Sequence, residues 1–460
     1  MTDPPDGARI PVALVGDGAA VPCITGETRP YTNLDAAAST AALPTVAGRV
    51  NDFLPWYSSV HRGAGYKSRL STNEYEAART AALAFAGRAT DSSDVAIFCR
   101  NTTEAIIIWS TGSDSTQTTS WSPLVEHHAN LLPRARVCKR RFVECGPDGT
   151  FTVDDVTAQL DAAPRPRLLT VTAASNVTGW LPPIDELIDA AHARSIPVLV
   201  DAAHRRLPER ADYLAWSGHK MYAPFGGGVL IGPRDTFADG DPFLAGGGAV
   251  DLVDLDEVVW TDPPDREEAG SPNVIGAVAL HAAIDALTSI GWPDIAAHDD
   301  RLAKRLRHGL AGIDEVRLLG PNRSVPTLPI ATFVVEGVPH ALIAARLSAE
   351  YAIGVRHGCF CAHPYLTRLL GLSDDRVAAY QRALRAGDRT QIPGAVRASC
   401  GITTTPDDID RLLAAVTEIA HTPPPVPYLQ DPTTGDYWPQ SDMPGWSRPD
   451  SNPGAPCSRG

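Results

Sequence analysis

At 460 residues the chain exceeds what one hydrophobic core usually serves, so two packed units are expected. Its 43% hydrophobic and 20% charged residues are the balance of an ordinary globular protein, and a net charge of −14 argues against nucleic acid or an anionic membrane as principal partner. No apolar run reaches the roughly 20 residues that span a bilayer, and the N-terminus, MTDPPDGARI, has acids and prolines where a secretory signal needs basic and then apolar residues.

The first 30 residues are rich in proline and glycine and read as a loose arm or a wrap over the body. From about Asp35 to about Leu287, helical segments alternate with short apolar runs. Glu74 to Ala86 reads as an alanine-rich helix, Val95 to Phe98 as a strand, and Leu168 to Thr172 as another. A helix is expected over Ile184 to Arg194 after two prolines, then a buried strand from Pro197 to Val200 that ends at Asp201. Gly228 to Ile231 is a further short apolar run. Strands alternating with helices of this length predict an α/β fold with a mostly parallel sheet covered on both faces.

After about Gly291 the pattern changes to charged amphipathic helices (Asp299 to Leu310, Ala341 to Glu350, Asp407 to Ala420) flanking short strands such as Thr332 to Val335, a smaller α+β unit. The tail from Pro423 is proline-rich and polar and reads as irregular, with Tyr428, Tyr437 and Trp438 able to anchor part of it. The eight cysteines are scattered, which predicts a reducing cytoplasm rather than a disulfide framework. The close pair Cys359 and Cys361 lacks a second pair at zinc-ribbon spacing, so no metal is expected.

Ligands of open α/β sheets sit beyond the carboxyl ends of the strands. Asp201 closes an apolar run, where a carboxylate needs a cation or a bound group to face. Ser217-Gly218-His219-Lys220 follows, ahead of the flexible Gly226-Gly227-Gly228. Asn101-Thr102-Thr103-Glu104 opens an apolar helix with the pattern of a capping box, at a terminus that can also bind phosphate. In Glu126-His127-His128-Ala129-Asn130, adjacent histidines point about 100° apart on a helix. They suit aromatic packing on a ligand better than a shared metal ion. Taken singly, each segment also has a bland reading: a helix cap, a surface lysine, a core histidine.

Together, in order and spacing, they resemble the class V aminotransferase branch of fold-type I pyridoxal-phosphate (PLP) enzymes, and within it the cysteine desulfurases. The similarity runs from about Tyr31 to about Ala420. Its landmarks are Tyr31 to Ala38, His61-Arg62-Gly63, Arg100 to Ala105, Glu126 to Asn130, Ser175 to Gly179 and Val200 to His204. Ser217 to Lys220, Gly270 to Asn273, Arg356 to Ala362 and Arg397-Ala398-Ser399 complete the series.

The resemblance implies a large PLP-binding domain over 31–290 with a mostly parallel sheet, between an N-terminal arm (1–30) and a smaller α+β C-terminal domain (291–422), with a proline-rich tail over 423–460. It implies that Lys220 joins the cofactor as a Schiff base and moves the substrate's α-proton, that Asp201 pairs with the pyridinium nitrogen, and that His127 stacks on the ring. Thr102, Thr103, Ser217 and His219 are the phosphate candidates, and Ser271 reaches the phosphate from a partner subunit, which implies a homodimer. Asn176 lies near the ring hydroxyl and the substrate. His204 stands where the desulfurases usually have a glutamine on the ring oxygen. Arg397, with Arg356 second, is the candidate for the α-carboxylate of an amino acid substrate, since a guanidinium binds a carboxylate through two parallel hydrogen bonds.

Cys361 decides the reaction. In the desulfurases a cysteine on this loop takes sulfur from cysteine, releases alanine and passes the sulfur to an acceptor protein. Here both histidines of the family's usual Arg-x-Gly-His-His-Cys are replaced, and Cys359 stands nearby. The alternatives are a C–S β-lyase acting on a cysteine conjugate, or a class V epimerase or aminotransferase.

Overall fold

The computed structural model describes residues 10–89, 93–112, 119–136, 139–163, 165–202, 207–441 and 445–446. Helix α1 (Tyr66–Phe85) begins well before the expected Glu74. Its first turns bury Ser68 and Ser71 in place of apolar side chains. Ser68 Oγ donates to the Ser59 carbonyl at 2.7 Å, and Ser71 Oγ accepts from the Ser58 N–H at 2.9 Å. A face satisfied by hydroxyl hydrogen bonds leaves no hydrophobic period to read.

A seven-stranded sheet follows, built from β1 (Asp94–Cys99), β2 (Thr119–Pro123), β3 (Lys139–Val143), β4 (Leu168–Thr172), β5 (Val198–Asp201), β6 (Tyr213–Ser217) and β7 (Gly228–Pro233). The spatial order is β1-β7-β6-β5-β4-β2-β3, with β7 antiparallel to both neighbours and the other pairs parallel. Helices α2 (Thr102–Gly112) and α3 (Ile184–His192) connect successive strands. Alternate residues face opposite layers, as a strand's period of two requires. Val198 and Val200 pack with Leu187 and Ile188, while Leu199 packs on the other side with Ile106 and Trp109. Burial on both faces explains the continuous apolar runs. Each fully buried Val or Leu contributes about 1.5–3 kcal/mol.

The hairpin of β8 (Val250–Val253) and β9 (Val258–Trp260) leaves Leu252, Val253 and Leu255 exposed. Helix α4 (Val274–Ile290) is apolar on most sides and largely buried. Gly291, at φ +92°, ends it, and Pro293 in the next first turn starts α5 (Trp292–Leu310), earlier than the expected Asp299. Among the described residues no single helix is long and apolar enough to cross a membrane. The α4–α5 pair together has the length and composition but is bent by 80°.

The second sheet is fully antiparallel, in the order β10 (Val316–Leu319), β11 (Ile330–Val335), β13 (Ala395–Ser399), β12 (Arg356–Gly358). Helices α5, α6 (His340–Tyr351) and α7 (Pro406–His421) cover it through Leu302, Leu306, Ile343, Leu347, Leu412 and Val416.

The described part of the tail corrects the expectation of irregular chain, although Tyr428 anchors it as expected. β14 (Tyr428–Gln430) and β15 (Tyr437–Pro439) form an antiparallel hairpin, and Tyr428 Oη donates to Glu350 on α6 at 3.0 Å. Its turn is set by Asp431, whose carboxylate accepts from the N–H and hydroxyl of Thr433 at 2.8 and 2.7 Å. At the other end, Ile10 is buried beside Leu287 and Ile402, so residues from Ile10 onward lie against the body.

Candidate active site

The two sheets meet at the carboxyl ends of β5 and β6, and the chemistry-bearing side chains gather there. A cavity of about 270 Å³ is lined by Asp201, Lys220, His127, Asn176, Cys361 and Arg397, together with Thr102, Thr103, Ser217, His219 and Arg356. These are eleven of the residues singled out in the sequence. Ser271 lies elsewhere, in a cleft shared with Arg100 and Glu268. His204 lies outside the described residues.

Asp201 is the last residue of β5, in register with Thr172 of β4 and Ala215 of β6, and is 4% exposed. Lys220 ends a single helical turn after β6. Gly218 allows that turn: its N–H donates to the Gly227 carbonyl at 2.8 Å, and a Cβ there would sit 3.0 Å from the same oxygen. Thr40 pins the turn from outside, its N–H and hydroxyl both donating to the His219 carbonyl, at 2.8 and 3.1 Å. Burial lowers the Lys220 amine to about 8, with Asp201 opposing and the Arg397 charge adding to the fall. A minor fraction of the amine is therefore uncharged near neutral pH, far more than for an ordinary lysine.

His127 sits in extended backbone, and its Nδ1 accepts from the Ala129 N–H at 3.0 Å. That bond puts the ring proton on Nε2. Burial, reinforced by Lys220, lowers the imidazole to about 3, so the ring is neutral. The neighbouring Glu126 carries no role in the sequence pattern. It is fully buried and accepts from Asn130 Nδ2 at 2.6 Å and the Thr172 N–H at 2.8 Å. It thus ties the His127 segment to β4. Burial raises its carboxyl to about 8.

At the start of α2, Asn101 Oδ1 accepts from the Glu104 N–H at 3.1 Å, but Glu104 reaches back to the Arg100 N–H at 2.5 Å instead of closing a capping box on Asn101. The Thr102 N–H donates to Ser217 Oγ at 2.9 Å, and the two hydroxyls lie 2.8 Å apart. Thr103, exposed in the cavity wall, occupies a first-turn position whose N–H has no intrahelical acceptor. Gly228 lets this helix start come close, because a Cβ there would be 2.8 Å from the Asn101 backbone.

On the opposite wall, Arg397 is 2% exposed. Its guanidinium donates to the Asn176 carbonyl at 2.9 Å and to Asp35 at 3.0 Å, stacks 5.2 Å from the Phe360 ring centroid, and keeps Nε buried without a partner. A buried unpaired donor is costly, and a ligand carboxylate would satisfy it. Arg356 differs. Its Nη2 and Nε meet Asp35 Oδ2 at 3.0 and 3.1 Å, and half its side chain is exposed. Asp35, quoted in the sequence only as part of a longer run, is the common partner of both arginines.

Cys361 is exposed and, like Phe360, adopts a left-handed φ (+55° and +54°). The turn is held from two sides. Asn176 Nδ2 donates to the Phe360 carbonyl at 2.7 Å, and the His128 N–H donates to the Cys361 carbonyl at 2.8 Å.

A mostly parallel seven-stranded sheet whose strand ends carry Asp201 and Lys220, facing a smaller antiparallel sheet, defines a fold-type I PLP enzyme. The family model described as aminotransferase class V matches residues 32–412, and the chain belongs to that family. Among curated relatives it is 34% identical over 409 residues to the cysteine desulfurase of Dickeya dadantii (strain 3937), covering 85% of this chain and 92% of that one. It is 31% identical to the cysteine desulfurase of Klebsiella pneumoniae (strain 342), over 85% and 94%. Two solved structures are similar: the apo cysteine desulfurase of Thermococcus onnurineus NA1 (TM-score 0.74, 29% identity, 85% and 94% covered) and the cysteine desulfurase CsdA of Escherichia coli (0.71, 28%, 84% and 94%).

The family's cofactor fits the side chains present. Lys220 supplies a partly uncharged amine, Asp201 a buried carboxylate, His127 a neutral flat ring, and Thr102, Thr103 and Ser217 the hydroxyls at a helix start.

Proposed function

We propose that the chain is a PLP-dependent cysteine desulfurase that takes sulfur from cysteine onto Cys361 and releases alanine. One observation carries the reading: the Cys361 turn and the Lys220 turn line the same cavity, together with Arg397, whose buried Nε lacks a partner. When bound, the cofactor supplies an electron sink for the substrate's α-carbon.

Arg397 binds the substrate α-carboxylate through its unpaired Nε, and Asn176 orients the guanidinium through its carbonyl. Lys220, uncharged in part near neutral pH, takes and returns the α-proton. His127 holds the ring face without adding charge. Cys361 as thiolate attacks the substrate sulfur: an S–S bond forms, and the Cβ–S bond breaks with its electron pair left on the carbon skeleton. That skeleton takes up a proton and leaves as alanine, and the sulfur stays on Cys361 as a persulfide for an acceptor protein.

The large sheet with residues 31–290 serves the cofactor, 291–422 closes the substrate side, and the described parts of the flanking arm (1–30) and tail (423–460) pack on the body through Ile10 and Tyr428. In a homodimer Ser271, which lies outside this chain's own cavity, would serve the cavity of the second copy. The exposed Leu252, Val253 and Leu255 of the β8–β9 hairpin offer an apolar surface for that contact. The scattered free thiols suit a reducing cytoplasm.

The test is a product assay with free cysteine. Cys361→Ser is expected to lose alanine and persulfide formation while keeping the visible absorption of the lysine-bound cofactor. Undiminished alanine, or pyruvate and ammonia as products of the native protein, would overturn the reading in favour of a β-lyase.

A further inference from the structure

The β14–β15 hairpin follows the residues that the family model matches, 32–412, yet it reaches the strand that leads into the Cys361 turn. It is a built element. Gly435, at φ +84°, donates its N–H to the Asp431 carbonyl at 2.7 Å, and the Asp431 N–H donates to the Asp436 carbonyl at 2.8 Å. It docks through Gln430 Nε2 on the Thr390 carbonyl at 3.1 Å, and the Arg389 N–H donates to the Pro432 carbonyl at 3.0 Å. Gly435 packs so closely that a Cβ would be 2.7 Å from the Arg389 carbonyl oxygen.

From this hairpin Asp436 Oδ1 meets His357 Nε2 at 3.2 Å. His357 lies in β12, whose register with β13 sets Arg356 opposite Arg397 and His357 opposite Val396. Successive residues of a strand point to opposite faces. Arg356 turns to Asp35 at the cavity, and His357 turns to the hairpin. Beyond Asp436, the groups facing His357 are His340 on α6, with ring centroids 5.5 Å apart, and Arg356 on its own strand. Burial lowers the His357 imidazole, Asp436 opposes and Arg356 reinforces the fall. Nδ1 is buried without a partner, so the proton belongs on Nε2, and a neutral ring donates to the carboxylate.

Past His357, Gly358, Phe360 and Cys361 all have positive φ (+103°, +54°, +55°). Left-handed backbone at the two non-glycine residues is unfavourable and persists only where surroundings impose it. Asn176 and His128 hold the far side of the turn. The near side is continuous with β12, which pairs with β13 and meets the hairpin through the His357–Asp436 contact.

We propose that Asp436 and His357 are positioning residues: the C-terminal hairpin clamps β12 so that Arg356 stays on Asp35 and the Cys361 turn keeps the geometry needed to reach substrate sulfur. The consequence for catalysis rests on the reading of Cys361 as the sulfur acceptor, but the clamp can also be read without it.

The experiment compares the holoenzyme with Asp436→Ala, Asp436→Asn and Tyr428→Phe. Asp436 is nearly half exposed, so its truncation leaves the core intact. Three quantities are measured: alanine formation in a single turnover and at steady state, the rate at which iodoacetamide alkylates Cys361 (followed by tandem mass spectrometry), and Tm. Asp436→Ala is expected to lower kcat about tenfold, the size of one hydrogen bond to a charged group. KM for cysteine should stay within about twofold while Cys361 alkylation speeds up severalfold. Asp436→Asn keeps an acceptor and should restore most of both. Tyr428→Phe removes the Glu350 contact and should shift Tm alone. Unchanged kcat and alkylation in Asp436→Ala, with only a lower Tm, would overturn the clamp. If Cys361→Ser kept full turnover, the desulfurase reading would fall, and the alkylation rates would still decide whether the hairpin holds the turn.

Discussion

Asp201 and Ser217 close strands whose every residue is buried, whereas Cys361 stands on a left-handed turn held by hydrogen bonds from two other segments. The two sides of the cavity are thus built by different means. The sheet side is fixed by strand register, and its geometry follows from packing that extends far beyond the site. The turn side is fixed by single hydrogen bonds, each of which can be removed alone. A rigid cofactor floor facing an adjustable thiol is the arrangement in which one fold can hold one cofactor and vary the reaction.

That contrast can be broken most severely at Lys220. Lys220→Ala should abolish alanine formation, a loss of at least about 10²–10⁴-fold for the proton-transfer role alone, together with the visible absorption of the bound cofactor. An intact absorption band would show that another amine holds the ring. On the opposite wall, Arg397→Ala should lower kcat/KM for cysteine by about 10- to 150-fold, as expected for hydrogen bonds to a carboxylate worth about 1.5–3 kcal/mol. The cofactor band should stay unchanged, and a loss of cofactor instead would move Arg397 to the floor of the site.

Gly228→Ala sharpens the comparison on the sheet side. Its Cβ would press on the Asn101 backbone at 2.8 Å and displace the helix start that carries Thr102 and Thr103. Overpacking of this kind costs about 1–3 kcal/mol, which should appear as weaker PLP affinity, titrated by absorbance, with the alkylation rate of Cys361 unaffected.

The smallest expected effect is in pH. With its amine lowered to about 8, Lys220 of the cofactor-free protein should capture PLP faster as pH rises through about 8 and level off above it, because the uncharged amine is the nucleophile. An ordinary lysine would go on gaining reactivity up to about pH 10.4. Stopped-flow absorbance across that range separates the two.

How much of this could be read from the chain alone follows the same division. Four strands, β1, β4, β5 and β7, are legible as short apolar runs, and Asp201 and Thr102 sit at short distances from two of them, whereas the polar or basic β2 (Thr119–Pro123) and β3 (Lys139–Val143), and β6, carry no such signal in the reading. Asp35 was not legible, since its two arginine partners lie more than 300 residues away and nothing local distinguishes it from a turn aspartate. Glu126 was overshadowed by the histidines beside it. The tail reads as irregular in sequence although Asp431 to Asp436, between two short aromatic-bearing strands, carries the turn residues of a hairpin. Its proline content masked two strands of only three residues each. Helix α1 was cut short because its early turns bury serines.

The central claim is that Cys361 receives the substrate's sulfur. The most direct measurement is intact-protein and peptide mass spectrometry of the holoenzyme after one turnover with cysteine and no acceptor, with alanine counted in the same sample. The account predicts one added sulfur atom on Cys361 for each alanine released, and neither product in Cys361→Ser. Alanine released with Cys361 unmodified, or the added sulfur found on Cys359, would contradict it.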